Sequence, residues 1–310
     1  MEQKMKAKLL LSLFVFLGLG LGCTPSEDHD HDHDHDVHAH DGGTHEESHN
    51  SNHSDDVDGG VASFELPLAD PEIIVLAGEH SDGYYTHVIT ASTWHMYGDG
   101  EDVSVFKILT YSNREGYAIA LNHADNAFAG GAYSRFDWFI DDANAVHYCQ
   151  TRFDAATEQE AFEAAAADAD DLAGAGCGGF SWSGLTAVAL DLVGSYTDSW
   201  GTTHEIDGDG WEQVSSWSND GGVVTDSSKF VRLHHSNKQR WLIAQNDEDN
   251  SWNAGLFSRF DWTEVEGQTY FCQTTYDSAT AKEALEAAAA DAEDPANGGC
   301  GFSTWSALTE

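Results

Sequence analysis

The chain repeats itself. Ser134-Arg135-Phe136-Asp137-Trp138 returns as Ser258-Arg259-Phe260-Asp261-Trp262, and Tyr148-Cys149-Gln150-Thr151 returns as Phe271-Cys272-Gln273-Thr274. Glu163 to Asp168 (EAAAAD) returns as Glu286 to Asp291, and Cys177-Gly178 as Cys300-Gly301. Earlier in each copy, Ile119-Ala120 and Asp125-Asn126 match Ile243-Ala244 and Asp249-Asn250, while His87 and Trp94 match His204 and Trp211. The matches run through nearly the whole of both copies, so two tandem copies of one small domain are expected, at 63–187 and 188–310. Copy two carries extra residues after Trp211, in a stretch rich in Ser, Gly and Asp.

Each copy reads as strands first and a helix last. Phe230 to His234, Trp241 to Ala244 and Thr269 to Tyr276 are short runs of β-branched and aromatic residues separated by Asn, Asp and Gly. Thr157-x-x-Glu160 and Thr280-x-x-Glu283 are capping boxes, in which hydroxyl and carboxylate satisfy the first free backbone donors of a helix. Alanine, the best helix former, dominates the stretch after each box, with Phe162 or Leu285 as the large apolar residue. The expected fold is α+β: two copies of a small antiparallel sheet, each ending in an Ala-rich helix.

The N-terminus reads as an address. Lys4, Lys6 and Lys8 precede an apolar run from Leu9 to Leu21. As helix this run spans about 20 Å, short for a membrane span, and it fits a secretory signal over residues 1–22. It ends in Leu19-Gly20-Leu21-Gly22-Cys23, which resembles the cleavage box of bacterial lipoproteins, with Gly20 where that box has a larger aliphatic residue. The resemblance implies a lipid on Cys23, and so the membrane as a partner. In Gram-negative lipoproteins, Thr24 in place of Asp implies release to the outer membrane. An ordinary signal peptide with an incidental cysteine is the other reading. Four cysteines then remain in an oxidising setting. One follows the strands and one the helix in each copy, so Cys149–Cys177 and Cys272–Cys300 are the expected bridges. Each closes a loop of about 29 residues, worth roughly 3–4 kcal/mol by loop entropy.

Between the signal and the first copy, residues 23–62 have a different composition. His29, His31, His33, His35, His38, His40, His45, His49 and His53 put nine of the chain's 17 histidines here, interleaved with Asp28, Asp30, Asp32, Asp34 and Asp36. No Lys or Arg stands between Lys8 and Lys107. With little apolar surface to offset ordering entropy, the stretch is expected to be a solvated leash. Imidazole with neighbouring carboxylate suits zinc, copper or nickel, with Asp30, Asp32 and Asp34 as further ligands. The stretch resembles, in composition, the His/Asp-rich loops of bacterial zinc-handling proteins. A plain spacer is the alternative. His45-Glu46-Glu47-Ser48-His49 spells the H-E-x-x-H metalloprotease pattern, but without the apolar residues that bury such a helix.

Other polar residues admit two readings each. Arg135 and Asp137, like Arg259 and Asp261, lie two apart on a strand and so share a face. They form a bidentate salt bridge under the tryptophan or meet a ligand. Trp94, Trp138 and Trp182 recur as Trp211, Trp262 and Trp305 and are expected in the core, whereas Trp200, Trp217, Trp241 and Trp252 occur only in copy two and either pack or stack on sugar rings. Asn122 to Asn126, Asn246 to Asn250 and Asp207 to Gly210 are turns that offer oxygen ligands for calcium, without EF-hand spacing. His87 and His204 read as hydrogen-bonded structural residues.

Fifty-four acidic side chains against 13 basic ones give a formal net charge of −41 and exclude sequence-blind binding of nucleic acid. Gly179-Phe180-Ser181-Trp182-Ser183 lacks the last glycine of a nucleophile elbow, and no P-loop or dinucleotide fingerprint is present. The sequence therefore points to a non-enzymatic, lipid-anchored envelope protein that binds a divalent transition metal, zinc first, through the leash. The alternative is a surface recognition protein that binds glycan or protein through its tandem domains.

Overall fold

Along Tyr133–Ile140 the side chains alternate: Phe136 and Trp138 face one way, Arg135 and Asp137 the other. This period of two builds nearly the whole protein. The computed structural model describes residues 64–98, 101–293, 295, 298–301 and 303–310, so the expected signal peptide, Cys23 and the expected histidine-rich leash lie outside the described residues.

Copy one is a meander of eight antiparallel strands. They are β1 (Gly78–Ser81), β2 (Thr86–Ile89), β3 (Thr93–Gly98) and β4 (Glu101–Ser112), then β5 (Tyr117–Asn122), β6 (Tyr133–Ile140), β7 (Val146–Ala155) and β8 (Ser183–Ala187). β8 pairs back onto β1 through His80↔Ala187, which closes a barrel. A single short helix, α1 (Glu158–Glu163), lies between β7 and β8. Copy two repeats the plan with β9 (Gly194–Asp198), β10 (Thr203–Ile206), β11 (Gly210–Asn219), β12 (Gly222–Ser236), β13 (Trp241–Asn246), β14 (Phe257–Val265) and β15 (Gln268–Ser278). Helix α2 (Ala281–Glu286) and a two-residue hairpin, β16 (Gly299–Cys300) with β17 (Ser303–Thr304), precede β18 (Ser306–Thr309). β18 closes the second barrel against β9.

The expected α+β fold with Ala-rich helices is therefore wrong: the protein is nearly all β, with two closed eight-stranded barrels and two helices of six residues. The capping boxes do form. Thr157 Oγ1 accepts from Glu160 N at 3.1 Å and Glu160 Oε2 from Ala156 N at 3.0 Å, and Thr280 and Glu283 repeat this. The helices stop at Glu163 and Glu286 because the alanines beyond have no large apolar partner to bury, and helix propensity alone does not sustain a short helix in water. Their last turns also lack basic residues to balance the dipole. Ala164 and Ala287 turn to an extended backbone, and the chain runs back to the disulfides Cys149–Cys177 and Cys272–Cys300.

The barrels are packed solid with aromatic rings. Trp94 stacks on Phe136 at 4.4 Å and Phe106 meets the same ring edge-on at 5.0 Å; Trp211, Phe260 and Phe230 repeat this at 4.5 and 5.0 Å. Apolar inside and largely polar outside is the reverse of a membrane-spanning barrel. Segments ahead of each first strand add to these cores. Ile74 and Leu76 lead into β1, Leu190 and Leu192 into β9, and all four are buried. One asparagine holds each lead-in: Asn113 accepts from Val75 N and donates to Ile73 O, both at 2.8 Å, and Asn237 accepts from Asp191 N at 2.9 Å and donates to Ala189 O at 2.7 Å.

Candidate functional site

On the outer face of β5–β7, Arg135 sends Nε and Nη2 to Asp137 at 3.0 and 2.9 Å. Its Nη1 donates to Phe162 O at the end of α1 at 2.8 Å, and its guanidinium lies 5.0 Å over the Tyr117 ring. Thr151 donates to Asp137 Oδ2 at 2.6 Å. Arg259 and Asp261 repeat the pair, with Leu285 O, Ala287 O and Thr274 as partners. All four side chains are buried. Of the two readings of these residues, the salt bridge is the one that forms: both pairs hold a helix end against the sheet, and Asp261 also holds the disulfide loop through Ala290 N.

Inside barrel one, Trp94 Nε1 donates to His87 Nδ1 at 3.0 Å. An indole N–H is only a donor, so Nδ1 carries no proton and the ring turns its Nε2–H toward Asp82. That contact, 3.2 Å to Oδ2, is close but not an aligned hydrogen bond. Tyr148 donates to the same oxygen at 2.8 Å. Burial works to raise the Asp82 pKa, but contacts from His87, the Tyr85 and Tyr84 backbone N–H groups and Tyr148 outweigh it and hold the carboxyl well below its usual range. Burial, then the Asp82 charge, push the Tyr148 phenol up. Barrel two repeats Trp211, His204 and Asp198, with Nε2 3.4 Å from Asp198 and Phe271 where copy one has Tyr148. Burial lowers the His204 pKa against the opposing pull of Asp198. With Nδ1 taken by the indole, Nε2 turned toward a buried carboxylate and the ring shut off from solvent, neither histidine is placed to move a substrate proton.

The polar loops close on themselves. Asn126 accepts from Val105 N and donates to Val105 O, and Asn250 does the same with Lys229. Asp207 Oδ1 accepts from Asp209 N and Gly210 N, both at 2.8 Å. Among the described residues no three His, Cys, Asp or Glu side chains converge to hold a metal ion.

Tryptophans of copy two divide. Trp241 is buried, whereas Trp200, Trp217 and Trp252 are exposed. Of the pairs expected in the core, Trp94, Trp211, Trp138, Trp262 and Trp305 are buried, and Trp182 only partly so, edge-on to Phe139 at 5.0 Å. Tyr84 and Phe128 in barrel one, and Trp200 and Trp252 in barrel two, lie in equivalent connections, β1–β2 and β5–β6 against β9–β10 and β13–β14. Alternate connections of a meander fall at one end, so each barrel tips one end with two aromatic rings, all 71–88 % exposed.

Three features were missed by sequence reasoning. Asp82 and Asp198 sit five and six residues before their histidines, an offset that hid the match. Between the barrels, Glu79 accepts from Ser236 Oγ at 2.9 Å and from Lys238 N at 2.7 Å, and His234 Nδ1 contacts Ala77 O at 2.9 Å. The third is a pair of equivalent clefts beside the lead-ins: one of about 360 Å³ at Val75, Asn113, Gly116 and Trp138, the other of about 280 Å³ at Asp191, Asn237, Arg240 and Trp262. Aligning Gly116 with Arg240 is the signal that would have found it. No family model matches the chain, and neither a curated protein nor a solved structure matches it.

Proposed function

We propose that this chain is a lipid-anchored protein of the bacterial envelope that captures a divalent transition ion, zinc first, through His29 to His53, without catalysis. One observation carries the reading: nine imidazoles, four of them alternating with aspartates from Asp28 to Asp36, crowd a stretch that has no other evident use for them. The barrels' own histidines support it by contrast, since each already has a protein partner: His80 Leu76 O, His87 Trp94, His95 Tyr97, His123 the Asp125 backbone, His147 Asp141, His204 Trp211, His234 Ala77 O and His235 Arg232. In this reading the lipid on Cys23 places the leash at the outer membrane, and the barrels are its folded body.

Calorimetry with zinc chloride at pH 7.5 tests this on the whole chain and on a variant lacking residues 27–58. The full chain should bind more than one ion, each more weakly than a rigid structural site, because ordering entropy opposes every chelate. Affinity should fall toward pH 5.5 as protons compete near the ordinary histidine pKa of about 6.5. Unchanged stoichiometry and affinity in the shortened chain would end the metal reading. A second reading, surface recognition of a glycan or protein by the barrels, draws on the paired aromatic tips, since exposed rings meet sugar faces and protein surfaces well.

A further inference from the structure

The two clefts occupy the same place in each barrel but differ in chemistry. In barrel one, Val75, Phe139 and Ile140 give the cleft an apolar wall. In barrel two, Asp191 replaces Val75, Glu264 replaces Ile140 and Arg240 replaces Gly116. The last exchange is costly. Gly116 has φ +67°, and a Cβ built there would come within 2.2 Å of Trp138 O. Arg240 nonetheless keeps the left-handed backbone, at φ +56°, which disfavours a side chain by about 1–2 kcal/mol. Strain of this kind persists where surrounding structure enforces it and often marks a functional position.

A tryptophan edge completes each cleft. Trp138 and Trp262 are 4 % and 9 % exposed, and among the described residues neither indole N–H has a hydrogen-bond partner, unlike those of Trp94, Trp211, Trp182, Trp305 and Trp241. In barrel one the Cδ1 atom beside that N–H lies 3.9 Å from where a Cβ on Gly116 would stand, so this edge of the ring borders position 116, the place Arg240 takes in barrel two. The exposed Arg240 spends one N–H on Thr263 Oγ1, at 3.3 Å. The cleft of barrel two thus has unspent donors in the indole and guanidinium, acceptors in Asp191 and Glu264, and a ring in Tyr196.

We propose that this cleft is a binding site for one uncharged sugar residue. Two carboxylates repel an anion, and the guanidinium repels a cation. An apolar ligand would strip water from donors and acceptors without replacing it. A polyol satisfies both sets through its hydroxyls and lays a C–H face on an aromatic wall. At about 280 Å³ the cleft lies just under the roughly 300 Å³ at which ligand pockets begin, and so suits no more than a single ring. The site deepens the recognition reading above and is independent of the leash.

The test is indole ¹⁵N–¹H NMR of the whole chain titrated with glucose, galactose, mannose and N-acetylglucosamine. At least one should move the Trp262 signal saturably and leave Trp138 unmoved. Arg240→Gly installs the residue barrel one carries there and relieves the strained backbone, so it should keep the fold yet weaken binding at least tenfold. Trp262→Phe should weaken it similarly. Saturable binding that survives both substitutions and moves Trp200 or Trp252 instead would overturn the cleft but keep the recognition reading. No saturable shift with any of the four sugars would overturn the cleft and count against that reading as well.

Discussion

Replacing Arg135 by methionine keeps most of the stem that packs on Tyr117 and removes the charge. Asp137 then remains buried with the Thr151 hydroxyl as its remaining side-chain donor, and the Phe162 carbonyl at the end of α1 loses its partner. Removing one member of a buried, hydrogen-bonded ion pair costs about 3–5 kcal/mol, because the other charge stays desolvated. For a barrel pair of this size that is a fall in Tm of roughly 6–20 °C. The double variant Arg135→Met with Asp137→Leu behaves differently. Thr151 already lies 3.4 Å from the backbone carbonyl of position 135 and turns to it, so the loss should be only about 1–2 kcal/mol. Urea unfolding at pH 7, followed by circular dichroism on the single and double variants, measures the coupling. A single variant that loses less than 1 kcal/mol, or a double that loses the sum of both singles, would refute the claim that this pair is a desolvated structural clamp.

Neighbouring parts of the structure carry further expectations. Tyr148→Phe copies the residue barrel two carries and should cost about 1.5–3 kcal/mol, the worth of a hydrogen bond to the charged Asp82; no change in urea midpoint would show that bond to be idle. His80 lies in the seam with His87, His234 and His235 nearby; burial pushes its pKa down to about 4, against the pull of the Leu76 carbonyl. The unfolded chain takes that proton first, so stability is whole above pH 6.5 and is lost as pH falls from there toward 4, by about 2–3 kcal/mol. His80→Gln should flatten the acid limb of thermal melts, and an unaltered pH profile would exclude His80 as its source. Cys23→Ala should leave unprocessed precursor or soluble protein; normal processing and membrane recovery of that variant would dismiss the lipid anchor.

The sequence carried the repeat, the strands at Phe230 to His234, Trp241 to Ala244 and Thr269 to Tyr276 and, through one cysteine after the strands and one after the helix of each copy, both disulfides. It carried local signals well because each is local: the capping boxes at Thr157 and Thr280 are made as written. Closure of the sheets was not legible, because pairing of β8 with β1 joins His80 to Ala187, residues far apart with no pattern of their own. The alanine runs misled for the opposite reason. Propensity favours helix, but the chain is diverted by Arg135 and Arg259, which take the helix-end carbonyls, and by the disulfides beyond. The cleft was hidden because its novelty is a difference between copies, Gly116 against Arg240, whereas repeats are found by likeness.

Asn113 and Asn237 pin a lead-in that belongs to the strands after it, and this bears on how such a chain can lengthen. The six residues between β8 and β9 join two barrels, yet Leu190 and Leu192 among them are already interior to the second. A unit of inheritance that begins with its own lead-in and ends with its closing strand can be copied end to end without inventing a spacer. A gene break placed between lead-in and first strand would instead deliver a barrel short of part of its own filling. Growth in whole units, cut just ahead of Ile73 or Ala189, keeps each asparagine together with the lead-in it holds.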